Sequence, residues 1–313
     1  MKRGLVVVLS ALLLAACGGG GDDGENPESG QGTAPGAVTV DTRFGPVTVE
    51  EPPTRVVALG WSDAETALAL GVQPVGASDW LGFGGKGVGP WAEGLYRQAP
   101  QLLGTTEIDY EAVAALQPDL ILNTRSDNDQ AEHETLSRIA PTIGAPKDVI
   151  QYGTTWEQQV ELVSKALFKE DEGRKIISDL QAKFADNRKF DGKTTVVGAY
   201  FDGKFGAYVS GDARTDFMKV IGFTPRREVE ELASGSFYVD ISAERLDLLA
   251  ADLTVLFPIG GDASALKGNP LVPEKALVLE DKALINAFSS GSSLGTAYAL
   301  DNAVPLFDRA LGL

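Results

Sequence analysis

The residue types that carry most catalytic and metal chemistry are almost missing from this chain of 313 residues. It has one His (His133), one Cys (Cys17) and two Met (Met1 and Met218). A zinc, copper or iron–sulfur centre built by the protein needs several imidazole or thiolate ligands converging. This chain cannot supply them. Ser-His-Asp or Cys-His catalysis would have to run through His133 alone. That residue sits in a polar helix over residues 129–140 and reads as solvated surface. No disulfide can form within the chain.

Three motifs with chemical associations fail on context. Gly82-Phe83-Gly84-Gly85-Lys86-Gly87 has the G-x-G-x-x-G spacing, but a dinucleotide site needs a helix directly after it. Val88-Gly89-Pro90 cannot start that helix cleanly, so a loop is expected. Gly291-Ser292-Ser293-Leu294-Gly295 has the G-x-S-x-G spacing, yet the hydrolase order places a His after the Ser, and none follows. Asp127-Asn128-Asp129 opens like a calcium loop, without the later Gly and bidentate Glu.

The composition narrows the remaining classes. Apolar residues are 43% and charged residues 23%, which suits a globular protein, and the length suits two domains. Asp and Glu number 44 against 27 Lys and Arg, a net charge of −17. A nucleic-acid partner would favour the opposite sign.

The first residues read as an address. Lys2 and Arg3 precede an apolar run from Leu5 to Ala16, which is broken only by Ser10. It is too short for a comfortable membrane span and has signal-peptide length. Leu14-Ala15-Ala16-Cys17 resembles a bacterial lipobox. Residues 1–16 are therefore expected to be a signal peptide, and 17–37 a lipidated Cys17 with a flexible, Gly-rich tether. That plan implies an extracytoplasmic protein anchored to the bacterial cell membrane by lipid.

The body alternates strands and helices. Strands are predicted at Val38–Val40, Pro46–Val49, Arg55–Leu59 and Val72–Ala77. Between the last two, Ser62-Asp63-Ala64-Glu65 has the spacing of a capping box for a short helix. Residues 78–100 form a long loop. An internal repeat follows: Ile108 to Leu122 aligns without gaps on Ile241 to Val255, with Glu111/Glu244 and Asp119/Asp252 identical. Each copy reads as a capped helix running into a buried strand, which argues for two similar lobes. Helical periodicity is expected over Trp156–Phe168 and again over Glu170–Arg188. The second helix is long enough to run between lobes. The division expected is an N-terminal lobe at 38–168, a bridging helix at 169–189 and a C-terminal lobe at 190–313.

These features together resemble a class III (cluster A) substrate-binding lipoprotein of an ABC importer, in the iron–siderophore branch. The residues carrying the resemblance are the lipobox, Arg55-Val56-Val57-Ala58-Leu59-Gly60-Trp61, the stretch Glu65 to Gly76, the repeated units and the bridging helix. The resemblance implies an α/β fold of two βα, Rossmann-like lobes joined by one long helix, with a ligand cleft between them. It implies no enzymatic activity and a monomer. Iron(III) would arrive already wrapped by its siderophore, so no cofactor and no metal ligand of the protein is needed, in keeping with the scarcity of His. It further implies that one surface Glu on each lobe, Glu111 and Glu244 by position, pairs with arginines of the permease.

Loops that follow strands are the expected cleft walls. Those loops carry Trp61, Ser62, Trp80, Phe83 and Arg125 in the first lobe, with Asp79, Asn123 and Ser126 beside them. The second lobe offers Tyr200, Tyr208, Arg214, Tyr238 and Phe288, with Phe237 and Pro258 nearby. Aromatic faces would cover the siderophore's apolar arms, and Arg would donate to its oxygens. Three other readings stay open: a cobalamin or haem receptor, with Tyr200, Tyr208 or Tyr238 on haem iron; an extracytoplasmic enzyme using carboxylates; and an envelope-scaffold lipoprotein. The acidic composition leans toward a neutral or cationic hydroxamate complex.

Overall fold

The computed structural model describes residues 36–313 except 105–106, 261–262, 268 and 271. The expected signal peptide, Cys17 and nearly all of the tether lie outside the described residues.

The chain opens with an antiparallel hairpin of β1 (Val38–Thr42) and β2 (Gly45–Val49). Next come β3 (Val56–Ala58), α1 (Asp63–Ala69), β4 (Gly76–Ala77), α2 (Pro90–Glu93) and β5 (Gln101–Leu102). Then follow α3 (Tyr110–Ala115), β6 (Leu120–Leu122), α4 (Gln130–Ser137), β7 (Thr142–Ile143) and α5 (Trp156–Ala166). Strands β3 to β7 form one sheet in the order β5-β4-β3-β6-β7, parallel throughout. Val56, Val57, Leu120, Ile121 and Leu122 are fully buried, as expected of parallel strands covered by helices on both faces.

Helix α6 (Glu170–Asp186) leads into the second half. That half contains β8 (Thr194–Phe201), β9 (Lys204–Tyr208), α7 (Ala213–Val220), β10 (Thr224–Pro225), α8 (Arg227–Glu230) and β11 (Tyr238–Ile241). It continues with β12 (Leu253–Pro258), β13 (Leu277–Val278), α9 (Lys282–Ser290) and α10 (Ser293–Leu311). The second sheet runs β11-β9-β8-β12-β13, with the short β10 also on β8. It is mixed: β8, β12 and β13 are parallel, but β9 returns antiparallel from the turn at Asp202-Gly203, and β11 is antiparallel to β9. With Val239 and Ile241 buried between exposed neighbours, β11 shows the alternation of a one-sided edge strand.

Helix α6 joins the two halves by its apolar stripe. Ile176 packs on the first sheet's core, while Leu180 and Phe184 belong to the core of the second. Seventeen residues span about 25 Å. Helix α10 crosses in the same way: Leu294 packs with Ala64 and Leu68 of α1, whereas Leu300, Val304 and Phe307 fill the second core.

The internal repeat has a physical basis. Asp119, just before β6, accepts from Thr54 N (2.7 Å), Thr54 Oγ1 (2.8 Å) and Arg55 N (2.8 Å) at the head of β3. Asp252, just before β12, accepts from Thr194 N and Oγ1 (2.8 Å each) at the head of β8. Each carboxylate ties the starts of two neighbouring parallel strands. The helical part of the repeat is looser. Asp109 caps α3 by accepting from Ala112 N at 3.0 Å, but the matching segment Ala243–Leu249 is a 3-10 turn broken at Arg245, and the Ser242 side chain does not cap it.

Both Asp carboxyls are held below the usual carboxylate range. At Asp119 burial opposes the shift but the Thr54 and Arg55 hydrogen bonds overcome it; at Asp252 the Thr194 backbone and hydroxyl bonds lead. Their contribution to stability is therefore complete above the unfolded carboxylate pKa, and is lost as pH falls through the folded value. Asp119→Ala and Asp252→Ala should each lower stability by roughly 1–2 kcal/mol in urea unfolding at pH 7. The deficit should shrink on acidification below about pH 4. An equal deficit at pH 3 and pH 7 would show that the carboxylate charge is not what holds the strands.

Candidate ligand-binding site

Because β3, β4 and β6 are parallel, their C-terminal ends lie along one edge, and their loops meet there. The loops bring Trp61, Ser78, Trp80, Asn123, Arg125 and Asp127 around a cavity of about 340 Å3, completed by Glu132 and Tyr152. Trp61 lies between two rings, stacked on Trp80 at 4.2 Å and on Tyr152 at 4.1 Å. Both Trp61 faces are thus covered, and Trp80 and Tyr152 are the outer rings of a triple stack. The backbone is strained at Tyr152 and at Ser62, the residue after Trp61. Ser62 has φ +66° and Tyr152 has φ +56°, in the left-handed region. For a non-glycine residue this costs about 1–2 kcal/mol, and such strain concentrates at functional sites.

Beneath the stack lies a polar junction between the halves. Arg125 is buried; its Nε donates to the Tyr152 carbonyl at 2.9 Å and its Nη1 to the Ser290 carbonyl at 2.7 Å. The Ser62 hydroxyl donates to the same Ser290 oxygen at 2.6 Å. Ser290 ends α9, and Gly291 follows at φ +62°, where a Cβ would strike Arg125 Nη1. Ser292 caps α10 by accepting from Gly295 N at 2.9 Å, and its own hydroxyl donates to Glu65. Glu65 also accepts from Gly89 N at 3.2 Å. Asp63 accepts from Thr124 N at 2.9 Å, from Thr124 Oγ1 and from Gln159 Nε2 at 2.8 Å. At Gly60 a side chain would collide with the Asp63 carboxylate and the backbone of Thr124 and Arg125.

This geometry corrects the expected capping box at α1. Ser62 holds the N-cap position but makes no side-chain cap. Its hydroxyl and the Glu65 carboxylate are instead spent on α9 and α10, because both are buried against the partner half. The other motifs become ordinary structure. Gly291 to Gly295 is the turn between two helices rather than a strand-to-helix elbow. After the glycine loop comes only the four-residue α2, starting at Pro90, and Asp79 ties the loop by accepting from Phe83 N (2.8 Å) and Gly84 N (2.7 Å). Asp129 caps α4 through Glu132 N at 2.7 Å.

In the second half Arg214 and Asp212 form a buried bidentate pair, Nε to Oδ1 at 2.8 Å and Nη2 to Oδ2 at 2.7 Å. The Arg214 guanidinium lies 3.6 Å from the Tyr208 ring centroid, and Tyr238 meets Tyr208 edge-on at 5.1 Å. Asp212 and Arg214 both act electrostatically on Arg125, so the arginines of the two halves approach at the junction. Burial brings Arg125 down to about 10, with Asp212 and Asp63 opposing and Arg214 reinforcing; it stays protonated at neutral pH. Burial acts downward on Arg214 as well, but the charges of Asp212 and Tyr208 and the Asp212 hydrogen bonds outweigh it, and the guanidinium is held above its usual range.

The expected site residues thus separate. Trp61, Trp80 and Arg125 come together. Tyr208, Arg214 and Tyr238 form a second group. Phe288 is buried in the second core against Phe217 at 5.2 Å, so it packs rather than faces a cleft. Ser62 is consumed by the junction. Tyr200 sits at the end of β8 against Phe205 at 5.0 Å. Phe83 meets Trp91 edge-on at 5.7 Å in a different hollow, with Lys86 and Lys282. His133 is not solvated surface: the β1–β2 turn lays Phe44 over it, rings stacked at 4.0 Å, and burial lowers its pKa. Glu111 and Glu244 are exposed.

Sequence reasoning missed Tyr152, Asp127, Glu132, Glu65 and Ser290. For Tyr152 a signal existed. It lies in the loop between Ile143 and the cap of α5, where Thr155 and Gln158 make a reciprocal capping box. That loop follows β7, a two-residue strand too short to recognise by pattern.

Asp63 titrates unusually. Burial raises its carboxyl to about 6, against the hydrogen bonds from Thr124 and Gln159. A carboxyl raised on folding contributes stability that is complete below the unfolded value and lost as pH rises through the folded one. The protein should therefore lose this contribution between about pH 4 and 6. The Asp63 carboxyl carbon, followed by NMR, should titrate near pH 6; a midpoint at or below the ordinary Asp value would contradict the junction's burial.

The comparisons with known proteins agree with this architecture. Residues 56–261, more than half of the chain, match the periplasmic binding protein family. A probable siderophore-binding lipoprotein of Bacillus subtilis, YfiY, is 29% identical over 187 residues, covering 57% of this chain and 54% of that protein. The chain spans about half the length of the curated relatives it matches. The crystal structure of a periplasmic solute-binding protein from Mycobacterium smegmatis superposes with a TM-score of 0.76 at 29% identity, covering 89% of this chain and 100% of that one. PiaA of Streptococcus pneumoniae, crystallised with ferrichrome, superposes with a TM-score of 0.75 at 26% identity, covering 88% and 99%. With two α/β halves bridged by a helix and a family match across both sheets, the chain belongs to the periplasmic binding protein family.

Proposed function

We propose that this protein is an extracytoplasmic lipoprotein that captures a ferric siderophore and delivers it to an ABC permease. The observation that carries this reading is the cavity at the strand ends, walled by the Trp80–Trp61–Tyr152 stack. Flat aromatic walls with a few polar groups suit a large, wrapped ligand. Support comes also from the pneumococcal relative crystallised with ferrichrome and the Bacillus relative described as siderophore-binding. In this reading the protein binds and releases rather than catalyses. Iron(III) is cargo held by the siderophore, Cys17 carries the lipid anchor, and the protein acts as a monomer on the membrane surface.

The cavity rests on the same loops that form the junction. Ligand contact at Trp80 or Tyr152 therefore bears on the carbonyl that Arg125 holds. The junction keeps the two halves in register while the bridging helix limits their hinge motion. Delivery follows from surface carboxylates on both halves: Glu111 in the first turn of α3 and Glu244 at the start of the 3-10 turn. Both are free to meet arginines in bidentate fashion.

Two measurements test the reading. Trp80→Ala and Tyr152→Ala should each weaken ferric-siderophore binding roughly tenfold, read by quenching of Trp fluorescence. Unchanged affinity in both would place the ligand elsewhere, and selective binding of haem or cobalamin would replace the ligand class. Glu111→Arg combined with Glu244→Arg should abolish uptake by cells while leaving affinity near wild type. Uptake that survives the double reversal removes the docking role.

A further inference from the structure

Resting on that reading, we infer that the cleft selects ferric siderophores carrying a positively charged arm, such as a hydroxamate complex with a protonated amine. The argument is the charge balance of the cavity wall. Arg125 is the one basic residue among the described residues that line it, against Asp127 and Glu132. The Arg125 guanidinium is buried, and its Nε and Nη1 are committed to the Tyr152 and Ser290 carbonyls. Arg214, the basic residue whose charge acts on it, is paired with the bidentate Asp212. An anionic complex would thus meet few free donors and two carboxylates.

The carboxylates are held in place on the wall. Asp127 accepts from Asp129 N at 3.0 Å with Oδ1. Glu132, half-buried at the first turn of α4, accepts from Asn123 Nδ2 at 2.8 Å. Among the described residues, only one oxygen of Glu132 is engaged. Burial pushes the Glu132 carboxyl upward, with the Asn123 bond opposing and the charges of Asp127 and Asp129 adding to it; the proximity of three acids is the same feature that attracts a cation. The aromatic rings add a second attraction, because an ammonium beside Trp80 or Tyr152 meets the negative face of a π-system. A tris-hydroxamate wraps iron(III) with no net charge, so a terminal ammonium decides the charge of the complex. A tris-catecholate complex carries three negative charges and is repelled.

The test compares the ferric complex of desferrioxamine B, whose terminal amine is protonated, with its N-acetylated form, which has the same iron core and no charge. Fluorescence titration of the full-length protein at low salt should give affinity about tenfold or more higher for the amine form. The ratio should fall as salt rises. It should approach one in the Asp127→Asn/Glu132→Gln variant and be intermediate in Asp127→Asn alone. A ferric tris-catecholate should bind weakest. Equal binding of the two hydroxamates by the wild type, a preference that survives in the double variant, or tightest binding of the tris-catecholate overturns the charge selection while leaving siderophore binding intact. Binding of none of these complexes, with haem or cobalamin bound instead, defeats the siderophore reading itself and this inference with it.

Discussion

The structure depends on one buried guanidinium. Arg125 hangs from the loop after β6 and donates to two carbonyl oxygens, one from the Tyr152 loop of its own half and one from Ser290 of the other. A cation removed from water is costly unless its donors are satisfied. Here satisfying them requires the second half to be in place. Docking of the two halves and orientation of the cleft loops are therefore one event. Gly291 leaves the room, Ser62 shares the acceptor, and Asp212 with Asp63 supplies the balancing charge.

Around that centre the polar and apolar roles divide cleanly. Apolar packing makes the two sheets and the bridging helix, through Leu180 and Phe184 on one side and Ile176 on the other. It holds the halves near each other but does not fix their angle closely. The buried hydrogen bonds of Ser62, Glu65, Arg125 and Ser292 are directional and leave little tolerance. The triple aromatic stack sits directly above them. The loops that carry the stack are strained at Ser62 and Tyr152, so the stack and the junction share the same constrained backbone.

Much of this was legible in the sequence, for reasons that can be named. The runs Val56–Leu59 and Leu120–Leu122 are continuous and apolar, which marks buried parallel strands. The repeat with Asp119 and Asp252 could be aligned because the same Thr–carboxylate tie joins the heads of two parallel strands in each half. Trp61, Trp80 and Arg125 stood out because turn-rich loops after strands are where a doubly wound sheet presents side chains. Less legible were elements defined by partners far along the chain. Strand β7 is two residues long, so the loop carrying Tyr152 went unseen. Ser62 and Glu65 matched a local cap exactly as a true cap would, and no local signal distinguishes a hydroxyl that caps its own helix from one that reaches 228 residues away.

The sequence by itself determined the class of the molecule. Its residue inventory left no set of His and Cys ligands for a zinc, copper or iron–sulfur centre, its periodicity set the α/β alternation and the bridging helix, and its repeat announced two halves. These are properties of composition and of neighbours a few residues apart, which the chain states directly. Only the tertiary structure decided which candidates share a site. It buried Phe288, covered His133 with Phe44, sandwiched Trp61, committed Arg125 and Arg214, and left Asp127 and Glu132 on the cavity wall. The physical reason is that exposure, hydrogen-bond commitment and charge balance belong to pairs of residues distant in sequence, and those pairs exist only once the two halves have met.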